Sequence, residues 1–388
     1  MKYSRVAIAG LGHVLPDEAV TSAEIEARLA PLYDRLRLPE GRLELMSGIR
    51  ERRFFPAGAK PSDISLPAAD AAIEASGIDR RHIGALIHGS VCRDFLEPAT
   101  ACRVHHELGL PAECLAFDLS NACLGVLTGA MQVATMIEAR QVRAGVVVGT
   151  ELGRGLVDNT IERLNADASL TRETVKPWVA SLTIGSASAA MVLCDRDLVE
   201  SGAANAEAFV TAATAHAATA AHRLCQSEGL AEVMQTDSEQ LMRKGVAAGA
   251  ATFERFLGET GWSRDAGAPG AGLRKTVCHQ VGSAHRKMML DRLGVDPAGD
   301  YATLEWLGNT GSAALPVSLA LAAEVGWVER GDRVGLLGIG SGVNCLMLGL
   351  DWRAATAAKP TNHALRGPHA AVSRAALEAE SPSEPTRQ

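Results

Sequence analysis

Two stretches of this chain, residues 119–137 and 306–323, run the length of a helix without a single charged residue. Each approaches the ~20 residues that cross a bilayer. Both carry Asn, Thr, Ser and Gly near their starts, however, the second contains Pro316, and charged segments flank both closely. A helix apolar on every side must be covered all round, so the pattern predicts two helices buried inside a soluble fold, not membrane spans.

The surroundings of these stretches repeat. Asn121-Ala-Cys-Leu-Gly125 leads into a helix to about Arg140 and then a strand at 144–149, while Asn309-Thr-Gly-Ser-Ala313 leads into a helix to about Arg330 and a strand at 333–338. Upstream, a strand at 85–90 and a helix near 100–108 match a strand at 276–280 and a helix near 284–293. Strands at 115–118 and 302–305 feed the two central helices, and strands at 189–194 and 344–350 close the halves. Such an order predicts an α/β chain of two duplicated halves with mostly parallel sheets, in which reactive groups gather at the carboxyl ends of strands. Packed through their sheets, the halves would trap the charge-free helices between them. The expected division is 1–198, 199–352 and, beyond the last periodic segment, a disordered tail at 353–388. Thr21-Ser-Ala-Glu24 reads as a capping box opening a helix to about Leu32, and Ser62-Asp63 as the cap of a helix ending at Ser76. Residues 203–221 fit strand and helix equally, and 265–272 read as a loop.

Composition narrows the function. Hydrophobic residues make up 47% and charged residues 21%, which excludes disorder over the whole length. A net charge of −7 with no basic block implies neither nucleic acid nor an anionic membrane as partner, leaving a small molecule. Eight cysteines without CxxC pairs, in a chain lacking a charged-then-apolar leader, predict reduced thiols and a cytoplasmic location. No Walker A motif and no His/Cys cluster at metal spacing occur, so neither nucleotide hydrolysis nor a metal is expected.

Cys123 falls after a strand, at the first turn of a buried helix, where the helix dipole and free backbone N–H groups favour a thiolate nucleophile. The other seven cysteines fall in strands or loops and read as small core residues. His279 ends a strand of the second half, and Asn309 sits at the turn equivalent to that of Cys123. Taken singly, each has an ordinary structural reading. Related by a pseudo-twofold axis, the halves would bring Cys123, His279 and Asn309 to one point. Gly338-Ile-Gly-Ser-Gly342, after the last strand of the repeat, is either a plain turn or a source of N–H groups that forms an oxyanion hole with the Cys123 N–H. Glu97, in Arg93-Asp-Phe-Leu-Glu-Pro98, is either a solvated loop charge or, in a dry acyl pocket, a base of raised pKa.

These are the residues by which the chain resembles the thiolase superfamily, in particular its 3-oxoacyl-ACP synthase III group. Gly48-Ile-Arg-Glu-Arg-Arg53, Asp118-Leu-Ser-Asn-Ala-Cys-Leu-Gly125, His279-Gln-Val281, Gly308-Asn-Thr-Gly-Ser-Ala313 and the final Gly-rich turn follow in that group's order over roughly residues 3–352. Arg93 to Pro98, Leu224-Cys225 and residues 337–345 resemble its OleA branch, the long-chain acyl-CoA condensing enzymes that begin head-to-head olefin synthesis. Ile184-Gly-Ser186 stands where related synthases often have Asp beside Gly.

The resemblance implies a thiolase-like five-layered αβαβα fold, a homodimer, acyl-CoA or acyl-carrier-protein thioesters as substrates, and no cofactor. It implies that Cys123 takes one acyl group as a thioester and that His279 and Asn309 hold the carbonyl of the second acyl-CoA, stabilising its enolate. Glu97, reaching in from the partner subunit, would remove the α-proton. The backbone N–H groups of Cys123 and Ser341 would bind the first thioester's oxygen, and hydrolysis would release a 2-alkyl-3-keto acid. Two other activities stay open: decarboxylative condensation with a malonyl thioester, and thioester hydrolysis by a Cys-His-Asn enzyme.

Overall fold

The computed structural model describes residues 1–228 and 233–353; the tail expected at 353–388 lies, beyond Arg353, outside the described residues. The first half contains strands β1 (Val6–Val14), β2 (Glu18–Thr21), β3 (Glu51–Phe54), β4 (Ile83–Gly89), β5 (Leu115–Leu119), β6 (Ala144–Glu151) and β7 (Ala187–Asp195). Its helices are α1 (Ser22–Arg28), α2 (Ala30–Leu36), α3 (Arg42–Ser47), α4 (Pro61–Ser76), α5 (Thr100–Glu107), α6 (Gly125–Glu138), α7 (Arg154–Ala166) and α8 (Arg196–Glu200). The second half adds strands β8 (Ala208–Ala217), β9 (Cys225–Glu228), β10 (Val233–Thr236), β11 (Lys275–Cys278), β12 (Arg333–Gly340) and β13 (Asn344–Trp352). Its helices are α9 (Ser238–Thr260), α10 (Ser283–Leu293), α11 (Leu304–Leu307) and α12 (Ala314–Glu324).

Nine strands join in the order β11-β12-β13-β8-β1-β7-β6-β4-β5. The halves meet in it only at β1 and β8, where Ala7 pairs with Phe209 and Ile8 with Ala208. The sheet is mixed, which corrects the expectation of mostly parallel sheets. Only β4/β5, β4/β6 and β11/β12 are parallel. The three residues between β12 and β13 are too few for the crossover a parallel pair needs, so those strands return as a hairpin.

Apolar contacts stack the layers. Helices α4 and α5 cover one face of the first-half strands, α6 and α12 fill the space between the two halves' strands, and α9 and α10 cover the outer face of the second half. Helix, sheet, helix, sheet, helix is the five-layered αβαβα order. It explains the charge-free stretches, since α12 is buried from Ala314 through Ala323. Among the described residues no helix is long and apolar enough to cross a membrane.

Glycines set how closely α6 sits on its sheet. A Cβ on Gly125 would lie 2.6 Å from the Gly89 carbonyl oxygen, and one on Gly149 would lie 2.4 Å from that same oxygen. The carboxyl ends of β4 and β6 therefore abut the start of α6, and the residues just beyond them share one corner.

Several elements differ from expectation for identifiable reasons. Residues 302–305 do not form a strand: Gln280 Oε1 accepts from the N–H groups of Thr303 and Leu304, each at 3.2 Å, and the chain turns into α11 instead. Edge pairing with Thr276 stops at Asp300 and Tyr301. Helix α12 follows a single 3-10 turn and ends at Glu324, short of Arg330, because Gly326 takes φ +72° and closes the C-terminus. The Thr21 capping box forms, but the helix breaks at Leu29 and restarts in α2 with Pro31 in its first turn. Ser62 and Asp63 do not cap α4. Its N-cap is Lys60, Pro61 leads, and the Asp94 carboxylate accepts from the Ser62 N–H at 2.9 Å. The ambiguous 203–221 segment contains β8.

Candidate active site

Between β5 and α6 the chain makes a tight elbow at Ala122, whose φ of +46° costs an L-residue roughly 1–2 kcal/mol. The elbow turns Cys123 out of line with strand and helix. Asn121 braces it: Nδ2 donates to Thr128 Oγ1 and Oδ1 accepts from Asn344 Nδ2, both at 3.0 Å. The end of β12 closes over the elbow, for a Cβ on Gly340 would lie 3.0 Å from Leu124 Cγ and 3.6 Å from the Asn121 carbonyl oxygen. Gly338 and Gly340 thus belong to the strand itself, not to a turn after it. Only residues 341–343 form the turn, which carries Ser341 out from the end of the strand that abuts the elbow.

Cys123 is half-buried. Burial pushes its thiol up to about 12, and Glu151 and Cys225 add in the same sense. This corrects the expected thiolate. Helix α6 begins at Gly125, so Cys123 precedes the first helical residue, and a carboxyl and a second thiol outweigh the backbone hydrogen bond that favours its ionisation.

His279 directly follows β11. Its N–H donates to the Leu337 carbonyl at 3.1 Å, which sets it beside the stretch of β12 that packs on Leu124. Its Nδ1 is buried with no hydrogen-bond partner among the described residues, a deficit of ~1–3 kcal/mol. Burial first, then His285, lowers its pKa to about 3, so the imidazole is neutral.

Asn309 reaches the site on a strap from the other half. Its N–H donates to the Thr183 carbonyl at 3.0 Å and its carbonyl accepts from the Gly185 N–H at 2.9 Å. Only glycine fits at 185, where a Cβ would lie 2.0 Å from the Leu307 carbonyl oxygen. The strap is held in turn by buried Arg52, whose guanidinium donates to Leu182 O at 3.2 Å and to Ser22 Oγ at 3.1 Å; burial lowers its pKa to about 10. Asn309 Oδ1 accepts from the Gly311 N–H at 3.0 Å, which leaves Nδ2 as the donor.

Glu97 does not sit in a dry pocket of its own chain. It is exposed on the loop between β4 and α5, whose tip also exposes Phe95 at 52% and Leu96 at 97%. The base of that loop is nonetheless pinned. Arg93 pairs with Asp118 at 3.0 Å, Asp94 bonds Ser62 and Thr100, and the Val91 N–H donates to Glu151 at 3.4 Å. The sequence reading missed Glu151, the 183–185 strap and the task of Arg52. Arg52 lies in a motif that was singled out, but a lone Glu closing a strand gives no local signal. No disulfide joins any of the eight cysteines.

Residues 56–153 match the family model of the thiolase N-terminal domain, and residues 264–352 that of the 3-oxoacyl-[acyl-carrier-protein (ACP)] synthase III C terminal. An acyl-CoA:acyl-CoA alkyltransferase of Shewanella oneidensis is 41% identical over 360 residues, covering 91% of this chain and 100% of that protein. The chain belongs to the acyl-CoA:acyl-CoA alkyltransferase family. The family's member from Xanthomonas campestris is 35% identical over 352 residues, again covering 91% of this chain and 100% of that one. Solved structures of Xanthomonas campestris OleA superpose with a TM-score of 0.84 at 34% identity, covering 91% of this chain and 98–100% of those chains. They include variants with a cysteine, a glutamate or a histidine replaced, and a further one holds lauric acid and lauroyl-CoA. The fold is therefore thiolase-like, and the family is one of acyl-transferring enzymes.

Proposed function

We propose that this enzyme joins two fatty acyl-CoA molecules in a Claisen condensation without decarboxylation, through an acyl group carried on Cys123, and releases a 2-alkyl-3-keto acid. What supports the reading is that the Cys123 elbow packs on the end of β12, that His279 hydrogen-bonds the same strand, and that the chain's relatives are named for that transfer. In the Xanthomonas campestris variants the replaced glutamate and cysteine are separated by as many residues as Glu97 and Cys123, which supports Glu97 as the base.

With thiol and imidazole both neutral, His279 accepts the Cys123 proton as sulfur attacks the first thioester and passes it to the departing sulfur, so that CoA leaves as a free thiol. The N–H groups of Cys123 and Ser341 hold the carbonyl oxygen, each such donor contributing ~3 kcal/mol to the transition state. The carbonyl of the second acyl-CoA then takes hydrogen bonds from His279 and from Asn309 Nδ2. Glu97 removes its α-proton, the resulting carbanion attacks the acyl carbonyl, and the Cys123 sulfur leaves. Water finally cleaves the remaining CoA thioester. A thioester α-proton is weakly acidic, so this route needs a positioned base, whereas a malonyl-using enzyme obtains its carbanion by losing carbon dioxide.

Glu97 serves a second copy of the chain in this reading. Strand β5 is one of the two edges of the sheet and exposes Leu115 at 52% and Phe117 at 36%, the kind of edge that another copy covers. A homodimer joined there would carry the apolar Glu97 loop into its partner. No resident cofactor is required, a cytoplasmic location fits eight cysteines without a disulfide, and residues 1–198 and 199–352 would act as the two halves of one catalytic unit.

The description of the model matching residues 264–352 favours a second reading, decarboxylative condensation with a malonyl thioester. Incubation with long-chain acyl-CoA alone separates the two. Free CoA with a coupled keto acid, or its decarboxylated ketone, is expected; dependence on a malonyl thioester overturns the first reading, and release of the original acid alone marks a hydrolase.

A further inference from the structure

Glu151 closes β6 and is buried, yet the chemistry above does not use it. Its Oε1 accepts from the Ser312 N–H at 3.3 Å, from the Ser312 hydroxyl, and from the Val91 N–H at 3.4 Å. Burial raises the Glu151 pKa, while Ser312 and the nearby Cys92 and Ser90 side chains favour its charged form. A Cβ on Gly311 would lie 3.0 Å from Glu151 Cγ, so the turn that follows Asn309 is moulded onto this side chain. The close approach of Gly89, Gly125 and Gly149 brings the same corner against the Cys123 elbow, and the carboxyl acts electrostatically on the Cys123 thiol.

We propose that Glu151 is a positioning residue for the carbon–carbon coupling step. Its carboxyl ties the Asn309 turn, through Ser312, to the root of the Glu97 loop, through Val91 and Cys92, and fixes both beside Cys123. The assignment rests on the roles given above to Asn309 and Glu97 and adds a group that holds them in register. A buried carboxyl is expensive to keep unless its acceptors are engaged, and here donors from two separate site segments engage them. An amide at the same place keeps one acceptor but turns an NH2 group toward donors. An Asp is one methylene too short to span the two segments.

Transfer of the first acyl group to Cys123 needs neither Asn309 nor Glu97, so a positioning defect separates two steps that general destabilisation would weaken together. The test compares the full-length chain with Glu151→Gln and Ser312→Ala. Acyl-enzyme formed from lauroyl-CoA is followed by intact mass, coupled product is measured from the same mixture, and Cys123 alkylation by iodoacetamide is followed against pH. We expect coupling to fall about tenfold or more in both variants while acylation stays within about threefold, since small misplacements weigh most on the step that needs every group in line. In Glu151→Gln the alkylation profile moves to lower pH, because burial and Cys225 still oppose ionisation of the thiol but the Glu151 charge no longer adds to them. Ser312→Ala keeps the carboxyl and leaves that profile in place. Parallel loss of acylation and coupling, or no loss of coupling, overturns the proposal. Should Glu151→Gln not fold, the split between steps in Ser312→Ala decides. A wild-type chain that acylates without coupling sinks the roles of Asn309 and Glu97 instead, and the alkylation shift, which needs no substrate, still reports on the link between Glu151 and Cys123.

Discussion

At Cys123 and His279 the proton sits on sulfur. Burial holds the thiol up at about 12 and the imidazole down at about 3, so each is neutral at ordinary pH. Alkylation of Cys123 in the free enzyme is therefore expected to rise steadily from about pH 6 to about pH 10; a plateau near neutrality would reveal an ion pair instead. Glu97→Gln is expected to lower coupling by about 10²-fold or more while Cys123 still takes up its acyl group, as read by intact mass, and unimpaired coupling would remove Glu97 as the base. The buried histidines also tie stability to acidity. His13 and His88 are lowered from 6.5 to about 4, and His279 to about 3. Below about pH 6.5 the unfolded chain gains protons that the folded chain refuses, so stability is full above that value and declines toward the folded values as pH falls. Thermal melts between pH 7 and pH 5 are expected to move downward, and a constant midpoint would show that these rings accept protons in place.

Among elements, α6 carries the most demanding contact. Gly125→Ala sets a methyl 2.6 Å from the Gly89 carbonyl oxygen, where only backbone can give way, and is expected to cost about 1–3 kcal/mol in urea unfolding and to slow Cys123 alkylation. An unchanged unfolding midpoint would mean that the helix shifts freely. The same helix shows what the sequence could disclose. Freedom from charge is a local signal, and it located α6, α12 and the matching turns of Cys123 and Asn309 before any coordinates. What stayed hidden depends on partners distant in the chain. Gln280 takes the N–H groups of Thr303 and Leu304 and erases an expected strand, and Asp94 relieves Ser62 of its capping task. The ionisation of Cys123 depends on burial and on Glu151 and Cys225, which no local motif discloses, and the two segments that close on Glu151 are far apart in the chain.

For the molecule as a whole, the sharpest question is whether Glu97 works across a dimer. A Glu97→Gln chain mixed and re-equilibrated with a Cys123→Ser chain forms heterodimers in which one site has both an intact thiol and an intact base, so about a quarter of wild-type turnover is expected to return. No recovery, once subunit exchange is verified by native mass spectrometry, would place thiol and base in the same chain. The strap from the front half around Asn309 has its own consequence. Because Thr183 and Gly185 clasp the asparagine from both sides, and Gly185 leaves no space over Leu307, a laboratory hybrid grafting a cousin's rear half onto this front half must match that collar atom for atom. Ancestry by piecewise swapping is thereby discouraged, and the two lobes are bound to drift through evolution as one inheritance.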